Sequence, residues 1–235
     1  MQAEKPTVRS ILTEYFPAVL VAILIIVFAV RNEQSFLKTL PTLVTLVVQI
    51  MMVHANRYGF LVGGCNAALY GVGYLLEGLY FSAASAILFS FPMQIWSFFH
   101  WRKHSDGQRV SFRLMKPWVT VCTVLGMLAA WWACLQLLSP LFQDATYPAL
   151  DAYSFVSGIV VTVLMTFRFV EAQYLSLIAG MVTVAMWILI VLQRPFDVNF
   201  LIISIYNVIL TFRACASWTC LYRRQNKNKA SVTEV

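Results

Sequence analysis

Several stretches of this chain place polar side chains at helical spacing inside otherwise apolar sequence. Thr42, Thr45 and Gln49 are three and four residues apart, and Asn66, Tyr70 and Tyr74 are four apart. Such spacing puts each set on one face of a helix. Gln173, Ser176, Gly180, Thr183 and Trp187 form the longest stripe; Pro92, Gln94 and Trp96 cluster in another stretch, and Tyr206, Asn207 and Arg213 in the last. Asn and Gln serve both donor and acceptor edges of a solute, while Tyr and Trp offer stacking faces. The set suits a planar, neutral, hydroxyl-rich small molecule. Any one of these residues could simply hydrogen-bond a neighbouring helix, a contact worth roughly 0.6 kcal/mol in a membrane. Polar faces on five helices favour a central pathway instead. Its candidate binding residues are Gln49, Asn66, Tyr70, Tyr74, Gln94, Trp96, Gln173, Ser176, Thr183, Trp187, Tyr206 and Asn207.

The ingredients of covalent or metal chemistry do not assemble. The chain has no G-x-x-x-x-G-K-[ST] loop, and Gly71 and Gly73 do not complete a G-x-G-x-x-G. His100 and His104 are separated by Trp-Arg-Lys, without the glutamate of a zinc-protease motif, and read as interfacial histidines. Cys65, Cys122, Cys134, Cys215 and Cys220 form no C-x-x-C pair and read as small core residues. Glu77, Asp144, Asp151, Glu171 and Asp197 all fall at span ends or in loops, so no buried proton relay is expected. No catalytic residue, metal or cofactor is implied, and the chain does not read as an enzyme. Arg213 is the costliest side chain in the set, roughly 13 Å inside the last span at 1.5 Å per residue. It either snorkels, meets the inner end of the pathway or pairs with Glu171.

These faces must be positioned by helices in lipid. Of the 235 residues, 60% are apolar and only 11% charged, with a mean hydropathy of +0.74. A soluble domain carries roughly 25% charge, so one aqueous core could not bury this much apolar surface. The net charge of +7 would also suit a nucleic-acid binder, but the basic residues lie between apolar runs, where they signal topology. Nucleic acid is therefore not expected as a partner; membrane lipid is. Hydropathy and breakers give eight helices, at 15–30, 37–53, 58–76, 79–101, 118–138, 150–167, 172–192 and 197–222. The first has no convincing cleavage site and reads as an uncleaved, peripheral helix. With the N-terminus inside, thirteen Lys and Arg fall in inner loops against three outside, which assigns both termini to the cytoplasm.

The loops also suggest a repeat. Helices two to four end in Trp101-Arg102-Lys103, and helices six to eight in Tyr222-Arg223-Arg224. Each triplet has a singly basic turn after its first helix (Arg57, Arg168) and an acidic residue after its second (Glu77, Asp197). The fifth helix links them, so the triplets run parallel and place a substrate path between them. The expected fold is all-α: a seven-helix core of two parallel three-helix repeats with a linker helix, plus one N-terminal helix. Its units are a tail and peripheral helix (1–36), the first repeat (37–103), a cytoplasmic loop, linker and outer loop (104–149), the second repeat (150–224) and a cytoplasmic tail (225–235). Gly59 and Gly63 should allow close helix approach, and Pro92 should kink its helix or free a carbonyl.

The run from Asn66 to Gly71, then Gly78-Leu79-Tyr80, Phe91-Pro92-Met93-Gln94-Ile95 and Trp101-Arg102-Lys103, resembles the first half of PnuC-type vitamin transporters. The nicotinamide riboside transporter typifies them, and the resemblance extends over 41–224. It implies uptake of an unphosphorylated vitamin or nucleoside across the cell membrane by facilitated diffusion. A separate cytoplasmic kinase would trap the product. Homo-oligomerisation is compatible with this reading. Where family members for nicotinamide riboside carry Trp-x-x-Trp-x-x-x-Asn, this chain has Gln173, Ser176 and Gly180. The spacing remains but the chemistry differs, so relatives assigned to thiamine, riboflavin or deoxynucleosides supply alternative cargoes. A non-transporting helical assembly or sensor protein is the alternative from another class. Replacing Asn66 or Gln94 with Ala should weaken uptake while membrane insertion persists; unaltered uptake in both variants would remove the pathway.

Overall fold

The computed structural model describes residues 8–103, 105–106, 109–137, 146–194 and 198–233. The helices are α1 (Val8–Arg31), α2 (Phe36–Val53), α3 (Tyr58–Leu76), α4 (Tyr80–Lys103), α5 (Pro117–Leu137), α6 (Pro148–Thr166), α7 (Glu171–Gln193) and α8 (Val198–Thr233). Seven of them, α2 to α8, contain stretches long and apolar enough to cross a membrane, and this is a multi-pass membrane protein. A small antiparallel ribbon pairs Ser105 with Val110 and Asp106 with Arg109 in the loop after α4.

The boundaries follow local chemistry. Pro148 starts α6, where its missing N–H costs nothing. Gly78, at φ 70°, makes the left-handed turn between α3 and α4. Two departures from expectation are physical. Past Tyr222 the chain keeps helix-forming Arg, Gln, Lys and Ala without Gly or Pro, so α8 continues through the expected tail to Thr233. Within α4, residues Ser85–Ser90 adopt a π-helical turn immediately before Pro92, which already interrupts the bonding ladder.

Six helices pack in a closed ring: α2 on α3, α3 on α4, α4 on α6, α6 on α7, α7 on α8, and α8 back on α2. Helix α1 lies outside against α2 and α8, with Ile25 buried beside Leu46 and Leu210; α5 packs on α6. Gly59 allows the close approach expected of it, and Gly71, for which none was expected, allows another. A Cβ on Gly59 would stand 3.0 Å from the Met52 sulfur, and one on Gly71 would collide with Ile87 of α4. The cysteines differ from expectation. Cys65, Cys122 and Cys220 are exposed on the helix surfaces, where a small apolar thiol suits lipid, and only Cys215 is buried.

One end of the ring is closed by aromatic rings. Phe60 meets Trp101 edge-on at 4.7 Å, and Phe112 meets Trp218 at 4.7 Å. Each indole also donates to the carbonyl near the end of a ring helix. Trp101 of α4 reaches Met165 of α6, and Trp218 of α8 reaches Met52 of α2, both at 3.0 Å. The turns that follow are built alike. Ala55 and Arg168 both adopt positive φ (53° and 66°) and return their N–H to Met52 and Met165. Arg168 is buried, and desolvation together with nearby Arg113 lowers its guanidinium pKa.

Hydrophobicity drives little helix association in lipid, so such packing and bonds hold the ring. Trp101→Phe and Trp218→Phe should each cost about 0.6–1.7 kcal/mol, the range for interhelical bonds in membranes. Thermal unfolding in detergent should show similar losses for the two; a variant as stable as the parent would contradict the anchoring role.

Candidate functional site

The ring helices line a partly open cavity of about 300 Å³. Helix α3 supplies one wall, from Gly63 through Asn66 and Tyr70 to Tyr74, a rise of about 16 Å. Helix α4 supplies Ser82, Ser85, Ser90 and Gln94, spaced along one side because the π turn rotates the helix between them. Thr45 comes from α2, Ser154 from α6 and Thr183 from α7.

Asn66 organises the α2 side. Its amide nitrogen donates to the Pro41 carbonyl at 3.1 Å and to Thr45 Oγ1 at 2.9 Å. Thr45 donates its own proton to the Pro41 carbonyl at 2.9 Å and lies 3.1 Å from the Tyr70 hydroxyl, which can donate to it. The Asn66 Oδ1 and Ser154 Oγ are buried and make no hydrogen bond. A buried polar atom left unmet costs about 1–3 kcal/mol, so these two point to a missing partner. Tyr70 and Tyr74 stack at 5.4 Å, and Trp187 stacks on Phe200 at 4.4 Å behind them. Gly63 makes room for Gln94, whose Oε1 occupies the space that a Cβ would need.

Of the sequence-derived residues, Asn66, Tyr70, Tyr74, Gln94 and Thr183 are brought together in this wall. Trp187 is buried in the aromatic cluster behind Tyr70 and Tyr74. The others stand elsewhere. Trp96 is 46% exposed and packs edge-on against Phe167, because two residues from Gln94 is about 200° around a helix. Tyr206 packs with Ala18 and Ile25 between α1, α2 and α8. Gln49 and Ser176 are half-buried outside the wall, as is Asn207, whose Oδ1 makes no hydrogen bond; Gln173 is buried near the start of α7 with its Nε2 unbonded. Within the α7 stripe, Gly180 turns to α8, where a Cβ would meet Val208 at 3.1 Å.

Sequence reasoning missed the buried acids. Glu77 and Asp151 do lie at helix ends, but both are removed from solvent. Glu77, only 2% exposed, is clamped by Lys38 and by Arg194 at 3.4 Å, tying α2, α3 and the end of α7 together. Asp151 accepts the N–H groups of Phe81 and Ser82, each at 3.0 Å, and the Ser82 hydroxyl. The available signal was the break before Tyr80, which leaves a helix N-terminus needing an acceptor. His104, Asp144 and Asp197 lie outside the described residues. Glu171 uses Oε1 to accept from the Met115 N–H.

Fold and cavity together define a polytopic α-helical membrane protein with a polar chamber inside a ring of spans. The family model described as nicotinamide mononucleotide transporter matches residues 35–220, and the chain belongs to that family of transporters. Its structure is similar to the crystal structure of the vitamin B3 transporter PnuC, with a TM-score of 0.78 at 20% identity. That alignment covers 90% of this chain and 92% of the other, and at this identity it speaks for the fold. Comparison with curated proteins finds no match.

The contact between Gly63 and Gln94 gives a direct handle on the chamber. Gly63→Ala should push the Gln94 amide out of place and lower transport several-fold with little loss of folded protein. Adding Gln94→Ala should not lower it further. Unchanged transport in Gly63→Ala would show that this wall is not used.

Proposed function

We propose that this protein carries an unphosphorylated, vitamin-like nucleoside across the cell membrane by facilitated diffusion and alternating access. The observation that carries the reading is the composition of the chamber. Among the described residues it combines stacked tyrosines, free amide and hydroxyl groups, and no Lys, Arg or His. The family's name includes a phosphate ester, yet a phosphate taken from water into this chamber would meet no cation. Burying an ion without a partner costs several kcal/mol. A riboside without phosphate avoids that penalty. Retention would then fall to a cytoplasmic kinase, since the chamber has no group for ATP hydrolysis.

The ring order supports the parallel-repeat reading. Exchanging the triplets α2–α4 and α6–α8 maps its contacts onto themselves, and the Trp101 and Trp218 bonds are matched by the same exchange. The loop charges favour cytoplasmic termini. A related cargo such as thiamine, riboflavin or a deoxynucleoside is the second reading. It is favoured by Gln173, Ser176 and Gly180 in place of the Trp, Trp and Asn of the nicotinamide riboside motif.

Ligand binding to the purified, detergent-solubilised protein, followed through its tryptophans, separates these. One unphosphorylated member of the panel (nicotinamide riboside, thiamine, riboflavin, deoxynucleosides) should saturate the signal, and nicotinamide mononucleotide should not compete at similar concentration. Equal binding of the mononucleotide would overturn the assignment.

A further inference from the structure

The directions of the hydrogen bonds around the chamber sort its polar groups. Asn66 has spent both amide protons on Pro41 and Thr45. Because a carbonyl can only accept, the nitrogen must lie on that side, and Oδ1 faces inward as an acceptor. Thr183 has spent its proton on the Ala179 carbonyl at 3.0 Å. Ser82 has spent its own on Asp151. These three lining groups can therefore only accept. Thr45 has spent its proton on the Pro41 carbonyl at 2.9 Å, so the Tyr70 hydroxyl at 3.1 Å donates to Thr45; Ser85, Ser90, Ser154, Gln94 and the Tyr74 hydroxyl can turn either way. No lining side chain is a donor that cannot also accept.

Behind this wall stands Asp151. Its carboxylate is fully buried and receives two backbone N–H groups and the Ser82 hydroxyl. Among the described residues no Lys or Arg is paired with it; Lys38 and Arg194 are both engaged by Glu77. The start of α4 offsets part of the charge. The remainder acts across one hydroxyl, since a serine that donates to a carboxylate becomes a more polarised acceptor on its other side. The Tyr70–Tyr74 stack lies on the same chamber and offers the negative face of aromatic rings.

We propose that Asp151, acting through Ser82, is a specificity-determining pair that selects cargo bearing a positive charge or a donor edge at this end of the chamber. Asp151 is the positioning residue and Ser82 the group that touches cargo. The cargo class is a cationic heterocycle with hydroxyls, in preference to its uncharged counterpart. The inference rests on the transport reading above and adds to it a discrimination by charge.

The test compares ligands of nearly the same shape that differ in ring charge: nicotinamide riboside with its dihydro form, and thiamine with its uncharged deaza analogue. Binding of each is measured to the full-length wild-type protein, Ser82→Ala and Asp151→Asn. The wild type should favour the cationic member of one pair by roughly tenfold, the scale of a charge felt through a partly polar interior. Asp151→Asn should abolish that preference and Ser82→Ala reduce it, each costing the cationic member more affinity than the uncharged one. A role in capping α4 alone would weaken both members equally. Ser82→Ala keeps both backbone bonds to Asp151, so it decides the matter if Asp151→Asn does not fold. An unchanged ratio in the variants, or no preference in the wild type, overturns the inference and leaves the transport reading standing. Failure of the wild type to bind either member of both pairs overturns the inference, and failure to bind riboflavin and the deoxynucleosides as well overturns the transport reading with it.

Discussion

Hydrocarbon offers no hydrogen bonds, and this constraint explains more of the molecule than any single contact. A polar side chain in a span must find its partner inside the protein or in a space that a solute can enter. Asn66 shows both solutions at once. Its nitrogen is satisfied by Pro41 and Thr45, which locks α3 to α2, and its oxygen is left for the chamber. The lock fixes Thr45, Thr45 holds the Tyr70 hydroxyl, and Tyr70 sets the stacked face beside Tyr74. One amide thus orients the wall that the cargo would meet.

The same constraint shapes the two ends. At one, the fully buried indoles of Trp101 and Trp218 bond carbonyls in the last turns of α6 and α2, and rings fill the space between. At the other, carboxylates do the corresponding work. Asp151 meets the first N–H groups of α4, and Glu77 draws Lys38 and Arg194 across the ring. Aromatic closure at one end and ionic closure at the other leave the polar chamber between them.

Much of this was legible because lipid imposes long apolar runs, so span number and approximate limits follow from hydropathy alone. The α3 face was legible too, since Asn66, Tyr70 and Tyr74 stand at clean helical spacing and do line the chamber. The α4 contribution was not. The π turn at Ser85–Ser90 shifts the residues before it relative to those after, bringing Ser82, Ser85 and Gln94 to one wall while Trp96 faces out. A helical stripe also does not say which neighbour it faces: Gly180 turns to α8 while Thr183 faces the chamber. Burial of Glu77 and Asp151 depends on the packing of distant helices, which no local pattern encodes.

The central claim is that the ring of spans carries cargo through its chamber without an energy source. Counterflow in proteoliposomes tests it most directly. Vesicles containing the purified protein are loaded with unlabelled nicotinamide riboside or thiamine and diluted into a trace of the labelled form, with no ATP and no ion gradient. A facilitated carrier should draw label inside to a transient excess over equilibrium that vanishes when the internal load is omitted. Label that rises only to equilibrium, with or without a load, or not at all for any vitamin of the panel, would contradict the account.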